Sequence, residues 1–144
     1  MTSPVPMFYE SQALTDLEAG YASALIRVRR WPQKQCYANA QQIVLSASGT
    51  WPMLDAPACP KGIDLLYVDG WATQKDRPNL DVEHAWFTIN GKVVDVTWRE
   101  GRRRVLGRFS GTYYGQPFSP VAVKKVNMDR GRFGRISIFR SPLR

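Results

Sequence analysis

Three residues carry most of the chemistry open to this chain: Cys36, the single histidine His84, and Asp95 eleven positions after it. A thiolate is a strong nucleophile toward acyl carbons. An imidazole beside it takes and returns the proton, and a carboxylate behind the imidazole fixes its tautomer and orientation. Each residue also has a plainer reading. A cysteine on a helix is most often a small core residue, and a histidine on a strand is usually structural or exposed. Asp95 is the odd member, because it lies in the apolar, β-branched run KVVDVTW. A carboxylate buried there needs a partner.

The elements that must position these residues are legible in the same sequence. TDLEAGYASALIRVRR (15–30) predicts a helix with a capping box, Thr15 as N-cap and Glu18 three residues on. Leu17, Tyr21, Leu25 and Val28 fall on one expected apolar face, and Trp31-Pro32 ends the helix. QCYANAQQIVLSAS predicts a second helix, buried through Ala40, Ile43, Val44 and Ala47 and stopped at Gly49. Cys36 then sits at a helix start, where free N–H groups and the positive end of the helix dipole favour thiolate. The Cys36 N–H can also donate to an oxyanion. Gln35 or Gln33 could add a side-chain amide. Asn39, one turn on, is read as capping a local backbone group in preference to touching substrate.

Three strand-like runs follow a proline-rich loop at 50–62: IDLLYVDGWA, EHAWFTI and KVVDVTW. Asn90-Gly91 joins the last two and predicts a tight hairpin. With Ile89 opposite Lys92, His84 faces position 97 and Asp95 is its diagonal neighbour. Diagonal Cβ atoms on one face lie roughly 7–8 Å apart, within reach of a carboxylate–imidazole contact. His84, Trp86, Asp95 and Thr97 share that face, which is expected to meet Cys36. Trp71 and Trp86 could wall a cleft, although strand tryptophans are more often core. The segment 99–120 reads as an irregular excursion. VAVKKVNM and GRISIFR read as two further strands, with DRGRFG as the turn. Residues 1–13 read as an extended arm.

QCYANA, YVDGWA, EHAW and VVDVTW together resemble the transglutaminase-like branch of the papain-like cysteine-hydrolase superfamily. The matching pieces are Cys36, then His84-Ala85-Trp86, then Asp95-Val96-Thr97. YYGQPF (113–118) is similar to a segment of small bacterial and phage proteins with the same motif order, so the resemblance spans about residues 30–120. It implies an α+β fold, N-terminal helices packed on an antiparallel β-sheet, in one papain-like domain over 1–144. It implies thiol chemistry on a protein or peptide amide: hydrolysis, deamidation or transfer to an amine. Two positions depart from the pattern. Arg30 stands where papain-like proteases have a glutamine several residues before the cysteine, and Val96 stands where proline usually follows the aspartate.

Composition bounds the rest. The 144 residues are 44% hydrophobic and 12% aromatic, enough for a packed core. The N-terminus lacks a basic and apolar leader pattern, and the two cysteines make no disulfide framework, so a bacterial or phage-infected cytoplasm is expected. No cofactor is expected. A metal site from Cys36, Cys59, His84 and Asp95 lacks close ligand pairs, and Cys59, in the proline-rich loop, is read as a bystander. The net charge of +8 is lopsided, −2 over residues 1–98 and +10 over 99–144. That basic end, with Phe109, Tyr113, Tyr114, Phe133 and Phe139, supports a second reading: a host-interaction or nucleic-acid-binding protein with a vestigial triad. An acidic partner fits it as well. No membrane contact is expected.

Overall fold

The computed structural model describes residues 5–100 and 103–142. The fold is α+β. An open, fully antiparallel six-stranded sheet has the order β1-β6-β2-β3-β4-β5. Its strands are β1 (Met7–Tyr9), β2 (Leu65–Gln74), β3 (Arg77–Ile89), β4 (Lys92–Glu100), β5 (Arg103–Leu106) and β6 (Tyr113–Phe118). The helices are α1 (Asp16–Ile26), α2 (Cys36–Ala47) and α3 (Pro120–Arg130).

Helix α1 begins as its sequence predicts. Glu18 N–H donates to Thr15 Oγ1 at 3.2 Å, and Thr15 N–H donates to Glu18 Oε1 at 2.8 Å. Such a cap is worth about 1 kcal/mol. Glu18 then does a second job. It accepts from Lys92 Nζ at 2.6 Å and from Asn90 Nδ2 at 2.9 Å, which ties α1 to the hairpin turn. Lys92, the Thr15 backbone and Asn90 hold the Glu18 carboxyl down at about 2. This link turns the helix: Glu18, Tyr21, Ala22 and Leu25 are buried, while Leu17 is 67% exposed. The expected place of Leu17 in the apolar face is therefore corrected, since a carboxylate with three fixed donors takes the inner position. The helix also stops at Ile26, earlier than Arg30.

The hairpin forms in the expected register. Asn90 and Gly91 have φ of 53° and 78°, the left-handed values such a turn needs. Ile89 pairs with Lys92, Thr88 with Val93 and Phe87 with Val94. The regular ladder reaches no further than Phe87 and Val94, and β4 is irregular between Asp95 and Arg99.

Alternation along the strands builds two clusters. Tyr67, Ala85, Phe87, Ile89, Val94 and Val96 pack with the helices. Tyr9, Val68, Ala72, Trp86, Val93 and Tyr113 form a smaller, aromatic cluster, with Trp98 and Phe109 against it. Gly70 and Gly115 face each other across β2 and β6. A Cβ on Gly70 would lie 2.3 Å from the Tyr114 carbonyl oxygen, and one on Gly115 would lie 2.6 Å from Val68 Cγ1.

The last third departs most from expectation. The supposed irregular excursion contains β5 and β6. The arm contributes the edge strand β1, paired with β6 at Met7–Gly115. VAVKKVNM is helical and GRISIFR is neither strand nor helix. Helix caps override the alternating pattern. Ser119 Oγ accepts from Ala122 N–H at 3.2 Å, Pro120 opens the helix, and Gly131, at φ 70°, closes it with its N–H on the Asn127 carbonyl. Residues 1–4 of the arm, and 101–102 and 143–144 of the basic end, lie outside the described residues.

Candidate active site

The structure brings His84 and Asp95 together. Nε2 of His84 lies 2.5 Å from Asp95 Oδ2, with both side chains buried. The other carboxylate oxygen accepts from two backbone N–H groups of its own strand, Thr97 at 3.0 Å and Trp98 at 2.9 Å. Those two bonds curl β4 around the carboxylate, which is why the ladder with β3 fails to continue. The curl also brings Trp98 over the imidazole. Their rings stack at 3.7 Å and 16°.

A fourth group completes the shell. Tyr113 on β6 donates its hydroxyl to Asp95 Oδ2 at 2.7 Å. Asp95 thus accepts four hydrogen bonds, as many as an ionised carboxylate has sites for. Burial alone would raise the Asp95 carboxyl, but the His84 charge and these donors bring it below its ordinary value. For His84, burial pulls the imidazole down, whereas Asp95 and then Cys36 push it up, to about 9 overall.

Cys36 is the other titratable residue near enough to His84 to push the imidazole up. With Nε2 committed to Asp95, Nδ1 is the ring nitrogen left for the sulfur. Cys36 is the first residue of α2 and is partly exposed. Its N–H has no acceptor inside the helix. Unlike α1 and α3, α2 has no side-chain cap bond from its N-cap residue, Gln35. The positive helix end beside the thiol is left to other ligands.

By strand alternation His84 and Asp95 belong with the aromatic cluster, on the opposite side of the sheet from the helices. The expectation that their face as a whole meets Cys36 is thus corrected. Helix α2 and β4 are joined where the β3–β4 ladder stops. There Thr97 Oγ1 accepts from Asn39 Nδ2 of α2 at 2.9 Å, although Thr97 alternates with the far face. The second Asn39 amide hydrogen goes to the Pro32 carbonyl at 2.8 Å. Asn39 is 2% exposed and has both donors engaged, so it is a strut between helix, loop and strand.

The remaining candidates are placed as follows. Gln33 and Gln35 are exposed on the approach to α2. Trp86 is 1% exposed inside the aromatic cluster, so it walls no cleft. Trp71 is half-buried, pairs with Glu83 across β2 and β3, and donates Nε1–H to the Phe139 carbonyl at 3.0 Å. Arg135 lies over the Trp71 ring at 5.0 Å and ion-pairs with Glu83, next to His84 in the chain. Cys59 lies apart in its loop, with its thiol toward the Ile63 carbonyl at 3.3 Å.

Sequence reading missed Tyr113, Trp98 as the imidazole's stacking partner, and a buried anchor, Asp69. Asp69 accepts from Tyr67 Oη–H at 2.6 Å and from the N–H groups of Ile136 and Ser137 at 2.7 and 3.0 Å, so it pins the chain after α3 to β2. The signal for Asp69 was the same as for Asp95: a carboxylate in an apolar strand, here LLYVDGW. Of the aromatics in the basic third, Tyr113 is spent on Asp95, Phe133 packs toward Trp51 and Phe139 lies under Arg135. Comparison with protein-family models, with curated proteins and with solved structures finds no match. Among the described residues no helix is long and apolar enough to cross a membrane.

Proposed function

We propose that this chain is a cysteine-dependent acyl-transfer enzyme of papain-like, transglutaminase-like build, acting on a protein or peptide amide through a Cys36-His84-Asp95 triad. The observation that carries the reading is the buried His84–Asp95 couple, with Cys36 near enough to push the imidazole up. In this reading the Cys36 sulfur is the nucleophile and His84 handles the protons. Sulfur attacks the amide carbonyl carbon, and the carbonyl π pair moves to oxygen. The Cys36 N–H, at the uncapped start of α2, donates to that oxyanion. Collapse breaks the C–N bond, and the amine leaves with a proton from His84. A thioester remains on Cys36. Water or a second amine then attacks it, His84 takes the attacking group's proton, and the thiolate departs. Asp95 stays ionised throughout and holds the ring.

An activated ester such as p-nitrophenyl acetate tests this. One equivalent of nitrophenolate should be released in a burst, with the acetyl group found on Cys36 by mass spectrometry. Acetylation spread over lysines, or a burst that survives Cys36→Ala, contradicts the reading.

A further inference from the structure

YYGQPF has no role in the triad chemistry, yet its first residue touches the triad. Tyr113 Oη and His84 Nε2 bond the same Asp95 oxygen, at 2.7 and 2.5 Å. The Tyr113 ring is 1% exposed and is fixed on several sides: edge-on to Trp86 at 4.8 Å and to Trp98 at 5.9 Å, and tilted against Phe109 at 4.4 Å. Trp86 and Trp98 are also the rings stacked on His84. Two residues on, Gly115 leaves room for the Trp86 ring, since a Cβ there would lie 2.8 Å from Trp86 Cη2. The segment is thus built around the couple.

We propose that Tyr113 is a positioning residue of the active site, whose hydroxyl fixes Asp95 and takes up part of its charge, so that the Asp95 pull on His84 is moderated. The inference rests on the triad reading above. Its physical basis is that a carboxylate oxygen sharing its charge with a second donor attracts the first one less. The groups that face His84 are Asp95 from β4, Cys36 from α2 and, through Asp95, Tyr113 from β6. Glu83, its neighbour in the chain, is paired with Arg135.

Because the chain has one histidine, its ring protons give an unambiguous NMR titration. In the unaltered protein His84 should titrate near 9. In Tyr113→Phe, which keeps the packed ring, the midpoint should rise by about half a unit as Asp95 regains its full charge. A midpoint that stays where it was overturns the role given to Tyr113 and leaves the triad reading standing. A midpoint near 6.5 in the unaltered protein overturns both, because the couple is then not formed. A second measurement needs no variant: the Tyr113 hydroxyl proton should be protected from exchange and show a cross-peak to the His84 ring. Fast exchange of that proton also overturns the proposal.

Discussion

The two cysteines of this chain are the same thiol in opposite settings. Cys36 opens a helix that has no side-chain cap and lies near enough to His84 to push its imidazole up. Cys59 lies in a proline-rich loop with its thiol directed at the Ile63 and Pro60 carbonyls, 3.3 and 3.8 Å away. Burial pushes the Cys59 thiol up, an effect that the Tyr21 hydrogen bond offsets only in part and Asp64 reinforces. Both cysteines are partly exposed as residues. What separates them is their surroundings: an uncapped helix start and a histidine at one, burial and carbonyl oxygens at the other. Reactivity follows from what surrounds the sulfur more than from how open it is.

The strongest way to break the contrast is to remove each sulfur in turn. Cys36→Ala should abolish acetylation by p-nitrophenyl acetate, while Cys59→Ala should leave the burst intact. His84→Ala comes next, lowering the acetylation rate about 100- to 10,000-fold, the usual range for a lost general acid–base group. Asp95→Asn should act through stability as well. It leaves a buried imidazole without its counter-charge, a loss of about 3–5 kcal/mol that a urea midpoint would report. Trp98→Ala should do least, removing the ring contacts with His84 and Tyr113, each worth about 0.5–1.5 kcal/mol, while letting water reach the couple.

Stability against pH sharpens the same comparison. His84 is raised from 6.5 to about 9, so its contribution is whole below pH 6.5 and is lost as pH climbs through 9. Asp95 is lowered from 3.8, so its contribution is present above that value and is lost as pH falls below it. Unfolding midpoints should therefore be highest between about pH 4 and 6.5, with the alkaline decline absent in Asp95→Asn.

The parts of this molecule that sequence reading reached were those written locally. Asn90-Gly91 dictates its own backbone, and with it the pairing of β3 and β4 from Ile89–Lys92 to Phe87–Val94. Thr15 and Glu18 lie three residues apart and cap without help from elsewhere. Cys36 falls at a helix start for the same reason. The α+β class was what the family resemblance implied, and the sheet and helices found agree with it at that level. Leu17 failed because helical periodicity is blind to a distant lysine: Lys92 draws Glu18 inward and turns α1 about its axis. In VAVKKVNM the alternating valines matched a strand, yet the Ser119-Pro120 start and the Gly131 stop were in plain view and decided the outcome. Tyr113 was beyond reach in a different way. Its hydroxyl meets Asp95 only because β6 is inserted between β1 and β2, and no short-range pattern encodes that order. The bend of β4 around Asp95 was likewise hidden, because it arises from side-chain capture of two backbone N–H groups.

The claim that most needs testing is that the His84–Asp95 couple makes Cys36 the reactive thiol. Alkylation by iodoacetamide at pH 7, followed by peptide mass spectrometry, reads both cysteines of one folded molecule in the same tube. Cys36 should be modified at least about 10-fold faster than Cys59, and the gap should close in His84→Ala. Equal rates in the unaltered protein, or a gap that persists without His84, would contradict it.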